Sequence, residues 1–324
     1  MAGSGAEMSS GSAGDQGISQ FVTTQDGLRV HVRAYGARTA PGLPVVCLPG
    51  LTRTAADFEA LAPALANGST RRRVIAIDSR GRGQSEYDSK PANYNLAVEL
   101  GDIVSVLIAL SIGPAVFVGS SRGGILTMLL SAAHPTAIAG AVFHDVGPVI
   151  EPKGLARMKS YIGKVPQPRT FEEGADILRR LMNAQFPKLT ADQWLAAARR
   201  GWEMKDGKLL PTYDPHLART LAAVDIERPL PPLWNEFGGL ARVPLLVIRG
   251  ANSDVLSAAT VSAMRERHPN MEAIEIADEG HVPLLEGNDL LLQIGRFVEA
   301  CDVASRPKRR THEGETGSAR SEAL

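Results

Sequence analysis

The sequence predicts an α/β protein built on a mostly parallel β-sheet with helices on both faces. Short runs rich in valine and isoleucine alternate along the chain with longer segments of helical periodicity. Such predominantly apolar runs are typical of strands that are buried on both faces of a parallel sheet. The predicted strands of this kind are Val45–Leu48, Val74–Ile77, Ala115–Val118, Ala141–Phe143, Leu245–Ile248 and Ala273–Ile276.

The segments between these runs supply the helices that such a sheet needs. A proline directly follows His134 and His268, and proline favours the end of a helix. The predicted helices are Ala55–Ala66, Asn95–Leu110, Arg122–Ala133, Ala258–His268 and Leu284–Ala300. Near the start, Phe21–Thr24 and Leu28–Tyr35 flank Asp26-Gly27, which indicates a β-hairpin. The alternation of strands and helices predicts helices on both faces of one sheet.

The alternation breaks between residues 149 and 240, where the sequence has no good buried strand. This segment has helical patterns at Gly154–Ile162, Phe171–Ala184 and Ala191–Met204, and it holds all three tryptophans. We interpret it as a helical insertion between two strands of the main sheet. The predicted organisation is a disordered leader over 1–17, a core over 18–148 and 241–303, the insertion over 149–240 and a disordered tail over 304–324.

The charge balance argues against nucleic acid as a partner. The chain has 35 basic and 35 acidic side chains, whereas nucleic-acid binding favours a strongly basic surface. The two cysteines do not form a disulfide framework, so the sequence favours a reducing, cytoplasmic location. We expect a small-molecule partner, no signal peptide and no membrane-spanning helix, and the oligomeric state, a homo-oligomer included, stays open.

The sequence Gly119-Ser120-Ser121-Arg122-Gly123 fits the pattern G-x-S-x-G. It directly follows a predicted strand and directly precedes a predicted helix, which is the setting of a nucleophile elbow. The sharp turn holds the serine in a strained conformation and exposes its oxygen above the sheet. The alternative is a glycine-softened turn with an incidental serine. We expect Ser121 to be a nucleophile, with Ser120 at a variable position of the pattern.

A serine nucleophile needs a base and a group that orients the base. His281 follows the last predicted strand and a glycine, which favours it as the base. Asp254 lies in the loop after the preceding strand, in the chain order serine, acid, histidine. We expect Asp254 to be the acid, although it could instead cap the next helix. Asp145, at the end of an earlier strand, is the alternative acid.

Negative charge that develops on a substrate oxygen needs hydrogen-bond donors. The backbone N–H of Arg122, the residue after the nucleophile, is one candidate. The loop after the first buried strand begins Leu48-Pro49-Gly50-Leu51, and the Leu51 N–H is the candidate second donor. The alternative is that this loop is only a tight turn between a strand and a helix. We expect no metal, since the zinc-binding motif H-E-x-x-H does not occur. We also expect no cofactor, since the glycine-rich stretch Asp78–Ser85 matches neither of the nucleotide-binding motifs G-x-G-x-x-G and G-x-x-x-x-G-K-[ST].

These motifs, taken in order, resemble the α/β-hydrolase family from about Ile18 to Val303, excepting the insertion. The resemblance rests on Leu48-Pro49-Gly50, Asp78-x-Arg80-Gly81-x-Gly83-x-Ser85, Gly119-x-Ser121-x-Gly123, Asp254 and Gly280-His281. It implies an eight-stranded, mostly parallel sheet with a helical cap inserted after the sixth strand. Many members have a histidine before the first oxyanion glycine, where this chain has Leu48-Pro49-Gly50, so a histidine-assisted oxyanion site is not expected.

The resemblance to members of the family that have a serine nucleophile and such a cap implies that this protein is a carboxylesterase-like serine hydrolase. Such an enzyme cleaves an ester or lactone through an acyl-enzyme. The candidate pocket lining is the cap aromatics Trp194, Trp202, Trp234, Phe171, Phe186 and Phe237, each of which could equally be cap core. A carbon–carbon bond hydrolase of the meta-cleavage type is an alternative, with Arg53 or Arg122 as the anchor for a carboxylate. Acyl transfer, perhydrolysis and a slow-turnover ligand receptor are further alternatives.

Overall fold

The computed structural model describes residues 17–305 except 223, 226, 227 and 229, and its centre is an eight-stranded sheet. The strands are β1 (Ile18–Thr23), β2 (Arg29–Tyr35), β3 (Val45–Leu48), β4 (Val74–Ile77), β5 (Ala115–Ser120), β6 (Ile138–His144), β9 (Leu245–Gly250) and β10 (Glu272–Ile276). Their order across the sheet is β1-β2-β4-β3-β5-β6-β9-β10. The pairs β1–β2 and β2–β4 are antiparallel, and every other pair is parallel. The predicted eight-stranded, mostly parallel sheet is confirmed.

Helices cover both faces of this sheet, as predicted. They are α1 (Leu61–Ala66), α2 (Leu96–Ala109), α3 (Arg122–Ala133), α4 (Pro152–Tyr161), α5 (Phe171–Met182), α6 (Ala191–Gly201), α7 (Ala218–Ala222), α8 (Trp234–Gly238), α9 (Ala258–Arg267) and α10 (Asn288–Ala304). Successive side chains of a strand point to opposite faces, so β3 sends Val46 and Leu48 to one core and Val45 and Cys47 to the other. The first core lies under α2, α3 and α9, and the second lies under α1 and α10. Cys47 is fully buried.

The segment between β6 and β9 contains helices α4 to α8 and a two-stranded ribbon, β7 (Trp202–Lys205) and β8 (Lys208–Pro211). The predicted helix Ala191–Met204 is therefore wrong in its last turn, because α6 ends at Gly201. The ribbon turns at Asp206 and Gly207, which both have positive φ, and an Asp-Gly pair favours such a turn. The ribbon and α5 and α6 share a small core of their own.

The predicted leader and tail lie outside the described residues, apart from Gly17, Ala304 and Ser305. Within the described ranges, no helix has the length and apolarity that a membrane crossing requires. The same part of the chain contains no cluster of three or more histidine, cysteine or acidic side chains arranged to hold a metal ion.

Candidate active site

Ser121 occupies the sharp turn between β5 and α3. Its backbone has φ 49° and ψ −113°, a left-handed conformation that a non-glycine residue rarely adopts. The Ser121 N–H donates to the carbonyl of His144 at 3.0 Å, which fixes the turn against β6. Tight packing explains the glycines of the motif, since a Cβ on Gly119 would lie 2.6 Å from the Gly124 nitrogen and one on Gly123 would collide with the Leu48 carbonyl.

A chain of hydrogen bonds runs from this serine into the protein. Ser121 Oγ lies 2.9 Å from His281 Nε2, and His281 Nδ1 lies 2.7 Å from Asp145 Oδ2. The Asp145 carboxylate is fully buried and accepts two further hydrogen bonds, from the Gly250 N–H at 2.8 Å and from Ser253 Oγ at 2.6 Å. A buried carboxylate with three donors is held in one orientation, so it can fix the ring of His281 with Nε2 toward the serine.

The expectation that Asp254 orients His281 is not met by this geometry. Arg157 of α4 holds Asp254 with two hydrogen bonds, from Nε at 2.7 Å and from Nη2 at 2.9 Å. Burial alone would raise the pKa of the Asp254 carboxyl, but the hydrogen bonds from Arg157 outweigh it and keep that pKa below its usual value. Asp145, the alternative acid that the sequence offers, contacts His281 instead, because it directly follows β6, the strand next to the one that ends in the serine turn.

His144 and Ser120 lie directly beneath the serine turn. His144 Nδ1 lies 3.0 Å from Ser120 Oγ, and both residues are almost completely buried. Burial lowers the pKa of His144 to about 4, so its ring is neutral at neutral pH. Ser120 therefore faces a neutral imidazole inside the protein, whereas Ser121 faces the ring that Asp145 holds.

The two predicted oxyanion donors flank the serine. A Cβ on Gly50 would lie 3.6 Å from the Ser121 Cβ, so the Leu51 loop passes directly beside the nucleophile. Among the hydrogen bonds of the described residues, none uses the backbone N–H of Leu51 or of Arg122. The first turn of a helix leaves its N–H groups without intrahelical acceptors, which applies to Arg122 at the start of α3. The oxyanion role of both groups stays a prediction.

A buried ionic network, which sequence reasoning missed, joins these two loops. Glu99 of α2 is 1% exposed and accepts from Arg82 Nη1 at 2.9 Å and from Arg122 Nε at 2.7 Å. Arg82 also donates from Nε to the Leu51 carbonyl at 2.7 Å. Burial raises the pKa of the Glu99 carboxyl, but the two guanidinium groups outweigh it and hold that pKa below its usual value. The glycine-rich stretch Asp78–Ser85 that supplies Arg82 was the signal available in the sequence.

A cavity of about 790 Å³ opens beside Ser121. Its wall is mostly aliphatic and includes Leu51, Ile125, Ile150, Leu155, Met158 and Val255. A pocket of this size and polarity fits an organic small molecule. The lining comes both from the core and from the segment between β6 and β9, since α4 and α7 contribute to it.

The aromatic residues expected to line the pocket lie elsewhere. Trp194, Trp202, Phe171 and Phe186 form the small core of the inserted segment. Trp234 and Phe237 of α8 pack edge to face and belong to the core over the main sheet. Tyr94 is the aromatic residue among the described lining residues. The inserted segment therefore places its large aromatic side chains in its own small core and against the main sheet, and aliphatic ones in the pocket.

The two arginines considered as carboxylate anchors each have an acidic partner. Arg53 makes a two-point ion pair with Asp57, at 2.7 Å and 2.6 Å. Arg122 pairs with Glu99 at 2.7 Å and 3.2 Å. Each guanidinium is therefore already held in an ion pair within the protein, and Arg122 shares the carboxylate of Glu99 with Arg82.

Comparison with known proteins defines the class of this protein. The chain belongs to the alpha/beta hydrolase family, whose model matches residues 45–294. It is 33% identical over 297 residues to the 3-hydroxybutyrate-oligomer hydrolase of Cupriavidus necator, covering 89% of this chain and 96% of that protein. It is 26% identical to the 2-(acetamidomethylene)succinate hydrolase of Mesorhizobium japonicum, over 91% of this chain and 100% of that protein. These relatives are hydrolases.

Solved structures agree with the same class. An alpha/beta hydrolase from Novosphingobium aromaticivorans superposes with a TM-score of 0.78 and is 37% identical in sequence. The match covers 88% of this chain and 98% of that one. The fold predicted from the order of strands and motifs is therefore the fold of the family.

Proposed function

We propose that this protein is a serine hydrolase that cleaves carboxylic esters, with Ser121 as nucleophile, His281 as general base and Asp145 as the acid that orients the base. The observation that carries the proposal is the unbroken chain of hydrogen bonds from Ser121 through His281 to the buried Asp145. Its serine end opens into an apolar cavity. A hydroxyl, an imidazole and a carboxylate in this sequence of contacts are the parts that acyl transfer requires.

The first half of the reaction forms an acyl-enzyme. Ser121 Oγ attacks the carbonyl carbon of the ester while its proton passes to His281 Nε2. The carbonyl oxygen becomes an oxyanion, which the N–H groups of Leu51 and Arg122 stabilise by about 3 kcal/mol each. The intermediate then collapses, the bond to the alcohol oxygen breaks, and the alcohol leaves with the proton from His281. Asp145 stabilises the positive charge of the ring between these two transfers.

The second half releases the acid. Water gives a proton to His281 Nε2 and attacks the acyl carbon, and the same two N–H groups hold the second oxyanion. When this intermediate collapses, Ser121 Oγ leaves and takes the proton back from His281. The products are an alcohol and a carboxylic acid, and the protein is restored to its starting state.

The surroundings of the serine support an ester with a short or medium aliphatic acyl group. The cavity is large enough for several carbon atoms on either side of the ester, and its aliphatic wall favours apolar chains. The segment between β6 and β9 acts as a cap in this proposal, because α4 and α7 supply part of that wall. The similarity to the 3-hydroxybutyrate-oligomer hydrolase makes esters of a short hydroxy acid the first substrates to test.

The test is hydrolysis of p-nitrophenyl esters from acetate to long acyl chains, together with the linear dimer of 3-hydroxybutyrate. We expect activity in the wild type and a fall in kcat of about 10⁵- to 10⁶-fold in Ser121→Ala. A fluorophosphonate should label the wild type stoichiometrically, and mass spectrometry should place the label on Ser121.

The matched control is Ser120→Ala, which removes the neighbouring hydroxyl but leaves the chain of hydrogen bonds to His281 intact. We expect it to keep most of the activity of the wild type. Full activity in Ser121→Ala would refute the assignment of the nucleophile. No activity of the wild type toward any ester would refute the proposed reaction.

A further inference from the structure

Two cationic side chains border the same cavity as Ser121. Lys90 lies just before the short 3₁₀ helix Pro91–Asn93, and Arg219 lies on α7 of the inserted segment. Both are exposed to solvent, so they border the cavity where it meets water. They therefore approach one cavity from two different parts of the fold, one from the core and one from the inserted segment.

The charged residues among the described lining of this cavity are all cations. Its described lining residues include three cations and no aspartate or glutamate. Arg122 shares the carboxylate of Glu99 with Arg82, whereas no ion pair between described residues involves Lys90 or Arg219. An apolar cavity with two uncompensated positive charges attracts a molecule with an apolar body and a negatively charged end.

We propose that the preferred substrates are esters that carry a free carboxylate away from the scissile bond, and that Lys90 and Arg219 bind this carboxylate. The inference rests on the proposed ester hydrolysis and narrows its substrate class. The linear oligomers of a short hydroxy acid have this form, because each has ester bonds within an aliphatic chain and one carboxylate at its end. Arg53 and Arg122 are unsuited to the same task because each already binds a carboxylate of the protein.

The experiment compares two substrates that differ only in this charge. One is the linear dimer of 3-hydroxybutyrate with its free carboxylate, and the other is the same dimer with a terminal carboxamide. Release of 3-hydroxybutyrate is followed by chromatography, and p-nitrophenyl butyrate serves as a neutral reference ester. We expect a higher kcat/KM for the carboxylate dimer, and we expect this preference to shrink as salt is added, since salt screens exposed charges.

The variants are Lys90→Gln and Arg219→Gln. Each should lower kcat/KM for the carboxylate dimer by about two- to fivefold, in line with the strength of exposed ion pairs, and the double variant should lower it further. Neither should change kcat/KM for the carboxamide dimer. Lys205→Gln and Arg180→Gln are the matched controls, because both residues are exposed cations of the inserted segment outside the described lining of the cavity. The controls should leave both substrates unaffected.

The outcomes separate this inference from the function on which it rests. Hydrolysis of p-nitrophenyl butyrate with equal kcat/KM for the two dimers would overturn the inference and leave ester hydrolysis standing. The same holds if the carboxylate preference persists in the double variant, because the carboxylate would then bind elsewhere. If no ester is cleaved, the proposed function fails and the inference fails with it.

A second inference comes from the buried network around Glu99. Arg82 is fully buried, binds Glu99, and also holds the carbonyl of Leu51, while Glu99 also binds the side chain of Arg122. One carboxylate thus connects the two residues whose N–H groups are the predicted oxyanion donors. The geometry points to Glu99 as a positioning residue that sets the distance between these two donors.

A second buried carboxylate on the same helix provides a matched control. Asp102 lies three residues after Glu99 on α2 and makes a two-point ion pair with Arg80, at 2.7 Å and 2.6 Å. Arg80 and Arg82 belong to the same glycine-rich stretch, but Asp102 contacts neither Leu51 nor Arg122 among the hydrogen bonds of the described residues. Both acids therefore stabilise one loop, and Glu99 alone connects it to the oxyanion donors.

The test measures Glu99→Gln and Asp102→Asn side by side. Both variants should unfold at lower urea concentration, because Glu99→Gln removes the carboxylate that binds Arg82 and Arg122, and Asp102→Asn removes one of the three carboxylates that bind Arg80. With kcat expressed per site labelled by fluorophosphonate, Glu99→Gln should lose about 10- to 100-fold in kcat with little change in KM, and Asp102→Asn should keep the kcat of the wild type. Glu99→Asp should recover part of the loss. Equal kcat in the two variants would assign Glu99 a purely structural role.

Discussion

The loops after β6 and β9 lie at the same edge of the sheet and each carries an aspartate, yet the two carboxylates bind different partners. Asp145 after β6 is fully buried and binds His281 at 2.7 Å. Asp254 after β9 is tied to Arg157 of the inserted segment at 2.7 Å and 2.9 Å. The first carboxylate belongs to the core of the fold, and the second binds an arginine of the inserted segment.

The difference follows from the order of the strands. β6 lies between β5, which ends in the serine turn, and β9, whose loop donates to Asp145 through Gly250 and Ser253. Asp145 adopts φ 54° directly after the strand, and its own N–H binds the Ile248 carbonyl at 2.7 Å. Chain order alone therefore does not identify the acid. The partner of each aspartate depends on the neighbouring strand and on the cations that the inserted segment places at this edge of the sheet.

The largest expected effect comes from removing His281, which contacts both Ser121 and Asp145. His281→Ala should lower kcat by about 10⁵- to 10⁶-fold, because the serine loses its base. Adding Asp145→Asn to His281→Ala should cost nothing more, since Asp145 acts through the ring that is already gone. Steady-state kinetics with p-nitrophenyl butyrate give the kcat of the single variant and of the double variant. A further large loss in the double variant would show that Asp145 acts on the substrate independently of His281.

The next effect is the pH dependence of stability that comes from His144, the last residue of β6. His144 has a pKa of about 4 in the folded protein, below the value of about 6.5 in an unfolded chain. The unfolded chain therefore binds the extra proton first, and stability is lost as pH falls from about 6.5 toward 4. Between pH 7 and pH 5 this one residue should cost about 2 kcal/mol in the free energy of unfolding.

Urea unfolding of the wild type and of His144→Asn at these two pH values measures this contribution. The variant is expected to be less stable at pH 7, but its loss between pH 7 and pH 5 should be smaller than that of the wild type. Any other histidine contributes equally to both proteins and cancels in the difference. An identical loss in the two proteins would contradict the buried, neutral state of His144.

The effect with the least consequence for catalysis belongs to the β9 loop. Arg157→Gln leaves the carboxylate of Asp254, which is 8% exposed, without its cation. We expect a loss of about 1–3 kcal/mol in the free energy of unfolding, with part of it regained in the double variant Arg157→Gln/Asp254→Asn. The kcat of both should stay near the wild-type value. A large fall in kcat in the double variant would give the Arg157–Asp254 pair a role in the reaction.

Most of the sheet follows from sequence because buried parallel strands are continuous apolar runs. The strands Val45–Leu48 and Val74–Ile77 end where the pattern predicts, and α3 spans the predicted Arg122–Ala133. Ser121 and His281 could both be predicted from sequence, since Ser121 follows a clear strand within the G-x-S-x-G pattern and His281 follows the last strand and Gly280. The β7–β8 ribbon was missed because Ala191–Met204 keeps helical periodicity beyond Gly201, where the backbone becomes extended.

The rest depends on contacts between distant parts of the chain. Glu99 has the pattern of an ordinary polar position on a helix, and only the folded loop of Arg82 reveals its two arginine partners. The aromatic side chains of the inserted segment were natural candidates for a pocket, yet they pack on one another. A local pattern predicts which element a residue occupies, but the partner of a charged or aromatic side chain depends on the elements packed around it.

The most direct test of the account compares Asp145→Asn with Asp254→Asn in one assay. Both changes remove one negative charge with almost no change in side-chain volume, and the residues lie in loops at the same sheet edge. We predict that kcat/KM for p-nitrophenyl butyrate falls about 10⁴-fold in Asp145→Asn, because His281 loses its orienting carboxylate. Asp254→Asn should stay close to the wild type. The reverse result, a large loss in Asp254→Asn with Asp145→Asn active, would contradict the account.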